Sequence, residues 1–234
     1  MTVRVLIADD QQLIRGGIRM ILDPEPDIEV IGEAASGAEA IRLARQLRPD
    51  VVLMDIRMPD VDGIEATRRI LAEGQEHQPC ILILTTFDLD EYVYDALCAG
   101  ASGFLLKDAP EHQLTHGIRN VHHGDALLSP TITRRLVSEF SAARRSSQTG
   151  SKLIAELTPR ELDVLRLVAA GLSNSEIAAQ LILGETTIKT HVTRILMKLG
   201  VRDRVQAVVF AYEAGIVRSS SEGESRFGSP GPRP

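Results

Sequence analysis

Five polar residues in the first half of this 234-residue chain each follow a short aliphatic run. They are the carboxylates of Asp9, Asp10 and Asp55, the hydroxyl of Thr85 and the ammonium of Lys107. Converging carboxylates repel one another, and a hard divalent cation such as Mg²⁺, which binds carboxylate and carbonyl oxygens, relieves that repulsion best. A lysine and a hydroxyl beside the metal can bind a phosphoryl group. Together these residue types predict phosphoryl transfer to an aspartate.

This chemistry requires secondary-structure elements that bring the five residues to one place. The predicted strands are Val3–Ala8, Ile28–Ile31, Val51–Met54, Cys80–Leu84 and Gly103–Leu106. Segments with apolar residues at helical spacing alternate with them, at about 11–22, 37–47, 63–73, 89–99 and 111–123. Five strand–helix units predict an α/β domain with a doubly wound parallel sheet covered by helices on both faces. Ligands of such sheets bind outside the carboxyl ends of the strands, where the five polar residues are expected.

The C-terminal region is predicted to be an all-α domain of four short, capped helices. Its start signals are the capping boxes Thr158-Pro159-Arg160-Glu161 and Ser173-Asn174-Ser175-Glu176, and the similar Asp203-Arg204-Val205-Gln206. The helices are expected at about 159–169, 174–181, 185–199 and 204–214. The three residues Ile182-Leu183-Gly184 fit the joint of a helix-turn-helix.

Helix 185–199 has an apolar side for the domain core and a polar side with a different character. The polar side carries Thr186, Thr190, Thr193 and Met197, with Lys189 and Arg194 on its flanks. Such a face fits the major groove of DNA, where lysine meets guanine acceptors and threonine meets thymine methyl groups. A solvated amphipathic helix has the same pattern, but the helix-turn-helix context favours DNA binding.

Composition and charge divide the chain and exclude some classes of protein. Apolar runs such as Cys80–Leu84 are far too short for a membrane span, and no secretory leader is visible, so we expect a cytoplasmic protein without membrane insertion. The net charge of −6 conceals a contrast: residues 1–125 carry 11 basic and 22 acidic residues, whereas 184–205 carry 5 and 2. The predicted domains are 1–125 and 153–218, joined by a helical extension and flexible linker at 126–152 and followed by a disordered tail at 219–234.

The motifs of residues 1–125 resemble the receiver domain of bacterial two-component response regulators. The matching motifs are Asp9-Asp10, Asp55-Ile56-Arg57-Met58-Pro59 with Asp62-Gly63, Thr85-Thr86, and Phe104-Leu105-Leu106-Lys107. The resemblance implies a (βα)5 flavodoxin-like fold with Asp55 as phosphoacceptor. By the same resemblance, Mg²⁺ is held by Asp9, Asp10, Asp55 and the Arg57 carbonyl, the phosphoryl group by Thr85 and Lys107, and Phe104 is the ring that couples to Thr85.

The helix-turn-helix region closely resembles the LuxR type, in Leu157–Glu161, Gly171–Ala178 and Thr187–Val192. Joined to a receiver, it makes the whole chain similar to NarL/FixJ response regulators. The resemblance implies base contacts by Lys189, Thr190 and Thr193, and backbone contacts by Asn174, Arg194 and Lys198. The chain departs from the family at Gly184, where Ser or Thr is usual, and at Gly117.

The resemblance also implies a function and partners. A sensor histidine kinase phosphorylates Asp55, the receiver shifts, and a homodimer controls transcription from an operator in double-stranded DNA, with RNA polymerase as a further partner. The resemblance suggests that the receiver occludes the recognition helix until then, a point that the sequence itself leaves open. One alternative is a DNA-binding regulator that does not depend on Asp55. The other is an Asp-nucleophile phosphohydrolase, which needs a second Asp where this chain has Arg57; we therefore expect no enzyme activity.

Overall fold

The computed structural model describes residues 2–72, 77–85, 92–124 and 153–217. The predicted linker at 126–152, the tail at 219–234, residue Thr86 and the predicted start of the helix at 89 lie outside the described residues.

The N-terminal domain alternates strands and helices, as predicted. In chain order its elements are β1 (Val3–Ala8), α1 (Gln12–Leu22), β2 (Ile28–Ala34), α2 (Gly37–Leu47), β3 (Val51–Asp55), α3 (Gly63–Ile70), β4 (Cys80–Thr85), α4 (Val93–Cys98), β5 (Gly103–Leu106) and α5 (Glu111–His122). All strand pairs are parallel, in the order β2-β1-β3-β4-β5. The strand order therefore reverses between β1 and β3, and the doubly wound α/β fold is confirmed.

Two elements end more than one residue away from the predicted position. Strand β2 continues to Ala34 rather than ending at Ile31, because Gly32, Glu33 and Ala34 pair with β1 after a register shift between Val5 and Leu6. Pairing with a neighbouring strand here outweighs the weak strand propensity of glycine and glutamate. Helix α3 ends at Ile70, and its C-cap Leu71 packs against the buried cluster on one face of the sheet.

The sheet has a buried apolar layer on each face, because successive strand residues point to opposite sides. One layer combines strand residues such as Leu6, Val52 and Ile81 with residues of α2, α3 and α4. The other layer combines Val5 and Leu53 with residues of α1 and α5. Both layers hold the strand ends in fixed register, so the polar residues at those ends are placed by a rigid scaffold.

Two glycines permit close approaches that matter for the carboxyl edge of the sheet. A Cβ atom at Gly63 would lie 1.9 Å from the Asp55 carbonyl oxygen, so only glycine lets α3 begin directly over the end of β3. A Cβ atom at Gly117 would lie 2.9 Å from Leu105 Cδ1, so this glycine lets α5 pack closely on the sheet. The departure from the family pattern at Gly117 therefore has a packing reason.

The C-terminal domain contains the four predicted helices. They are α6 (Pro159–Ala169), α7 (Asn174–Leu181), α8 (Glu185–Leu199) and α9 (Arg204–Glu213). The first two capping boxes are formed as predicted, and α8 begins at Gly184 without a side-chain cap. The third box is wrong in part: Asp203 accepts from the Gln206 N–H, but the Gln206 side chain does not return to close the box.

Candidate phosphoryl-transfer site and nucleic-acid interface

Three carboxylates meet at the carboxyl ends of the adjacent strands β1 and β3. One oxygen from each of Asp9, Asp10 and Asp55 lies within 4.8 Å of the other two. Asp9 and Asp55 are buried, whereas Asp10 is exposed and leaves the site open on one side. Hard oxygen ligands with one open side suit Mg²⁺, which keeps several waters when it binds proteins. The donor set therefore fits the metal that the sequence predicts.

Lys107 bridges two of these carboxylates from the loop after β5. Its Nζ lies 2.8 Å from Asp55 Oδ2 and 2.7 Å from Asp9 Oδ2. The Lys107 N–H also donates to the Thr85 carbonyl at 2.8 Å, which fixes the loop beside β4. The contact with Asp9 is a short ion pair in which Asp9 is fully buried. Asp9 also belongs to the group of three carboxylates that could hold a metal ion together.

The pocket shifts the pKa values of Asp55 and Lys107. Burial raises the pKa of Asp55, against the lowering effect of Lys107. Burial alone would lower the pKa of Lys107, but the carboxylates of Asp55 and Asp9 outweigh it and raise that pKa. With all groups ionised, three carboxylates face one ammonium, so a divalent cation brings the pocket close to neutrality.

The other predicted receiver residues lie around this pocket. Thr85 is buried at the end of β4, and Phe104 is buried on β5 in the same apolar layer as α4. Arg57 is exposed, and its backbone N–H hydrogen bonds to the Asp55 carboxylate. The structure thus places Thr85 and Lys107 at adjoining strand ends, and Phe104 in the apolar layer that also contains residues of α4.

The polar face of α8 is open to solvent. Thr186, Lys189, Thr190, Thr193 and Arg194 are all exposed. Thr190 Oγ1 donates to the Thr186 carbonyl and Thr193 Oγ1 to the Lys189 carbonyl, each at 3.0 Å. Because these hydroxyls are bonded within the helix, Thr190 and Thr193 offer their methyl groups as the distinctive outward feature, which suits contact with thymine methyls.

The four predicted cationic or amide contacts to DNA fall into two kinds. Lys189 and Arg194 are exposed, and the Lys189 pair with Glu185 at 3.5 Å is a weak surface contact. In contrast, Asn174 Oδ1 accepts from Arg204 Nη1 at 2.8 Å. Lys198 is also engaged within the domain, by the contacts described next.

Lys198 contacts a buried carboxylate that sequence reasoning treated only as a helix cap. Its Nζ lies 2.6 Å from Glu161 Oε2 and donates to the Glu156 carbonyl at 3.2 Å. Burial by itself would raise the pKa of Glu161, but hydrogen bonds from Lys198 and Thr158 lower it to about 2. Lys198 therefore stabilises the first helix of its own domain.

The N-terminal domain packs against α9 and not against the polar face of α8. Val205 and Val209 are 0% and 6% exposed and belong to the receiver's apolar layer. Gln206 Nε2 donates to the carbonyls of Leu97 and Ala101, at 3.1 and 3.3 Å. Arg202 Nη2 adds a hydrogen bond to Ser102 Oγ at 3.2 Å. Among the described residues, the reading face of α8 is exposed and the N-terminal domain contacts α9 instead, so the occlusion that the resemblance suggests is not found in this part of the chain.

Two family models match the chain. Residues 5–119 match the response regulator receiver domain, and residues 155–211 match the bacterial regulatory proteins of the luxR family.

Among the described residues, none of the helices combines the length and apolar character that a membrane crossing requires.

Curated relatives are similar over nearly their whole length. The transcriptional regulatory protein YxjL of Bacillus subtilis is 45% identical over 92% of this chain and 98% of its own length. LiaR of Bacillus subtilis is 41% identical over 92% and 99%, and the response regulator VraR of Staphylococcus aureus is 38% identical over 93% and 100%.

Solved structures of response regulators are also similar to this chain over most of its length. The response regulator ChrA of a heme-sensing two-component system is 36% identical, with a TM-score of 0.50 over 92% of this chain and 99% of its own. The response regulator RcsB in complex with DNA is 25% identical, with a TM-score of 0.53 over 91% and 99%.

Proposed function

The chain belongs to the two-component response regulators with a LuxR-type DNA-binding domain, and on that premise we propose that phosphorylation of Asp55 controls its binding to DNA. As a member it is a DNA-binding regulator of transcription. The observation that carries the proposal is Lys107, whose ammonium lies within 2.8 Å of both Asp55 and Asp9 in a mostly buried acidic pocket. The donor we propose is the phosphohistidine of a sensor kinase in the cytoplasm.

The proposed transfer is an in-line displacement at phosphorus. A carboxylate oxygen of Asp55 forms the new P–O bond while the P–N bond of the phosphohistidine breaks, and its electron pair stays on the imidazole, which takes up a proton. Lys107 holds Asp55 in place and stabilises the charge on the phosphoryl oxygens. Asp9, Asp10, Asp55 and the Arg57 carbonyl would hold Mg²⁺, which supplies further neutralisation of that charge.

The product changes the charge at the end of β3. A phosphoryl group carries roughly two negative charges and three acceptor oxygens, so Lys107 and Thr85 gain a new ligand. Phe104 packs in the same apolar layer as residues of α4 and as Val205 and Val209 of α9. We propose that repacking in this layer weakens the docking of α9 and frees the DNA-binding domain.

The freed domain is proposed to act as a homodimer on operator DNA. A weakly basic reading helix gives modest affinity, so pairing two of them on half-sites about one helical turn apart strengthens binding. A solved structure of the relative RcsB contains two dimers bound to two DNAs. Contact with RNA polymerase would follow once the dimer is bound to its operator DNA. Because Arg57 replaces the second Asp that a phosphohydrolase of this type needs, we assign no enzymatic turnover.

The proposed phosphorylation is tested by intact-mass measurement after incubation with a small-molecule phosphodonor and Mg²⁺. We expect one added phosphoryl group on the wild type, lost in acid or base as an acyl phosphate is, and none on Asp55→Asn. Addition of the same group to Asp55→Asn would contradict the assignment of Asp55.

A further inference from the structure

Arg15, on the first turn of α1, reaches back to the loop that carries the acidic pair. Its Nη1 donates to the Asp9 carbonyl oxygen at 2.8 Å, and its Nε contacts Glu33 Oε2 at 3.3 Å. The Arg15 side chain is only 14% exposed. Arg19, one turn later, contacts the other oxygen of Glu33 at 2.7 Å but makes no recorded contact with Asp9 among the described residues.

Several contacts hold the backbone and one carboxylate oxygen of Asp9. The second carboxylate oxygen, Oδ2, lies beside Lys107 in the pocket. The Asp9 N–H donates to the Ala34 carbonyl at 3.1 Å, and its Oδ1 accepts from the Gln11 N–H at 2.8 Å. The Arg15 contact fixes the remaining backbone group, its carbonyl. Helix α1 has no side-chain cap at Gln11, so the path of the loop through Asp9 and Asp10 depends on these contacts.

We propose that Arg15 is a positioning residue for the metal site, holding the Asp9–Asp10 peptide so that both carboxylates face Asp55. This inference rests on the proposed phosphotransfer function and its Mg²⁺ site. Arg15 acts through the Asp9 carbonyl and touches neither the phosphoacceptor nor the phosphoryl group. Supporting groups behind metal ligands commonly change metal affinity by one to two orders of magnitude when they are removed.

The carboxylate of Glu33 offsets the positive charge of Arg15, which would otherwise repel a metal ion bound at the nearby carboxylates. The guanidiniums of Arg19 and Arg15 lower the pKa of Glu33, so its carboxylate is ionised at neutral pH and balances Arg15. Arg15 therefore supplies hydrogen-bond geometry while its charge is offset locally.

Two roles for Arg15 predict opposite signs for one measurement. If Arg15 were only a nearby positive charge, its removal would tighten binding of a divalent cation, because a repulsion would be lost. If it positions the Asp9–Asp10 loop, its removal weakens binding although that repulsion is lost. The sign of the change in affinity therefore decides between them.

The experiment measures Mg²⁺ affinity of the unphosphorylated full chain by calorimetry, with Mn²⁺ paramagnetic resonance as a second probe. For Arg15→Gln we expect the dissociation constant to rise about tenfold. Arg19→Gln is the matched control, because it loses the same kind of contact to Glu33 without touching Asp9, and it should stay within about twofold. Thermal unfolding in chelator shows that each variant is folded.

A second variant keeps the charge and removes the geometry. Arg15→Lys has the same charge but cannot reach Glu33 and the Asp9 carbonyl with one planar fork, so we expect weaker binding here too. Equal or tighter binding by Arg15→Gln, or unchanged binding by Arg15→Lys, overturns the inference while leaving the phosphorylation of Asp55 standing. A wild type that binds no Mg²⁺ overturns the metal site itself, and the inference with it.

Discussion

Gln206 in the DNA-binding domain donates a hydrogen bond to the carbonyl of Leu97 in the receiver, across 109 positions of sequence. Leu97 lies in the last turn of α4, and its carbonyl also accepts from the Gly100 N–H at 2.9 Å. The same amide group reaches the Ala101 carbonyl just beyond that helix. One side chain of α9 thus bonds two backbone carbonyls of the receiver, one at the C-terminal end of α4 and one just beyond it.

This contact predicts that the two domains separate when the apolar part of the docking surface is made polar. Val209→Asp places a carboxylate where the side chain is 6% exposed, and a buried unpaired charge is strongly unfavourable. We expect a larger radius of gyration by small-angle scattering. Gln206→Ala, which loses two hydrogen bonds, should weaken docking by about 1–2 kcal/mol. Thr186→Ala on the open face of α8 is the control and should leave the radius of gyration unchanged. An unchanged radius of gyration for Val209→Asp would contradict the docking of α9 on the receiver.

Lys198 and Lys189 are predicted to differ in what they do. Lys198→Gln leaves Glu161 buried without its cation, so we expect the free energy of unfolding of the DNA-binding domain to fall by about 1–3 kcal/mol in urea titrations. Lys189→Gln changes an exposed residue and should leave that stability unchanged while weakening DNA binding in anisotropy titrations. The same stability loss in both variants would argue against this division.

The lowered pKa of Glu161 predicts an acid sensitivity of the DNA-binding domain. A carboxyl group with a folded pKa of about 2 and an ordinary value of 4.5 stabilises the folded domain fully above pH 4.5. That stabilisation declines as the pH falls from 4.5 towards 2. Urea unfolding from pH 7 to 3 should therefore show a steeper acid loss for wild type than for Glu161→Gln. Parallel pH profiles would contradict the role given to this carboxylate.

The threonines of α8 are predicted to act on DNA through their methyl groups. Thr190→Val keeps the methyl group and loses a hydroxyl that is bonded to the Thr186 carbonyl, so operator binding should change little. Thr190→Ser keeps the hydroxyl and loses the methyl group, which we expect to cost about 0.8 kcal/mol, near a fourfold loss of affinity. A larger loss for the valine variant than for the serine variant would show that the hydroxyl is the reader.

The fold and the acidic pocket could be predicted because both follow from local patterns. Alternating aliphatic runs and helical periods specify the parallel sheet, and the rule that ligands bind at the carboxyl ends of strands gathers Asp9, Asp55 and Lys107 without further information. The capping boxes at Thr158 and Ser173 likewise require only residues three positions apart.

The docking of α9 could not be predicted, because its signal is a contact between distant segments. Helix α9 has two apolar sides, and periodicity does not say that Val208 packs in its own domain whereas Val205 and Val209 pack on the receiver. Gln206 fits a capping box in sequence, yet its side chain finds partners in α4 instead. The ion pair of Lys198 with Glu161, 37 positions earlier, is likewise a contact between distant segments, and the DNA contact of Lys198 stays a prediction.

The central claim is that DNA binding responds to phosphorylation at Asp55, and one titration tests it most directly. Wild type and Asp55→Asn are titrated onto a labelled fragment of the protein's own promoter region, with Mg²⁺ and with or without a small-molecule phosphodonor. We predict that the donor lowers the wild-type midpoint about tenfold and leaves Asp55→Asn unmoved. An equal shift in both proteins, or no shift in the wild type, would contradict the account.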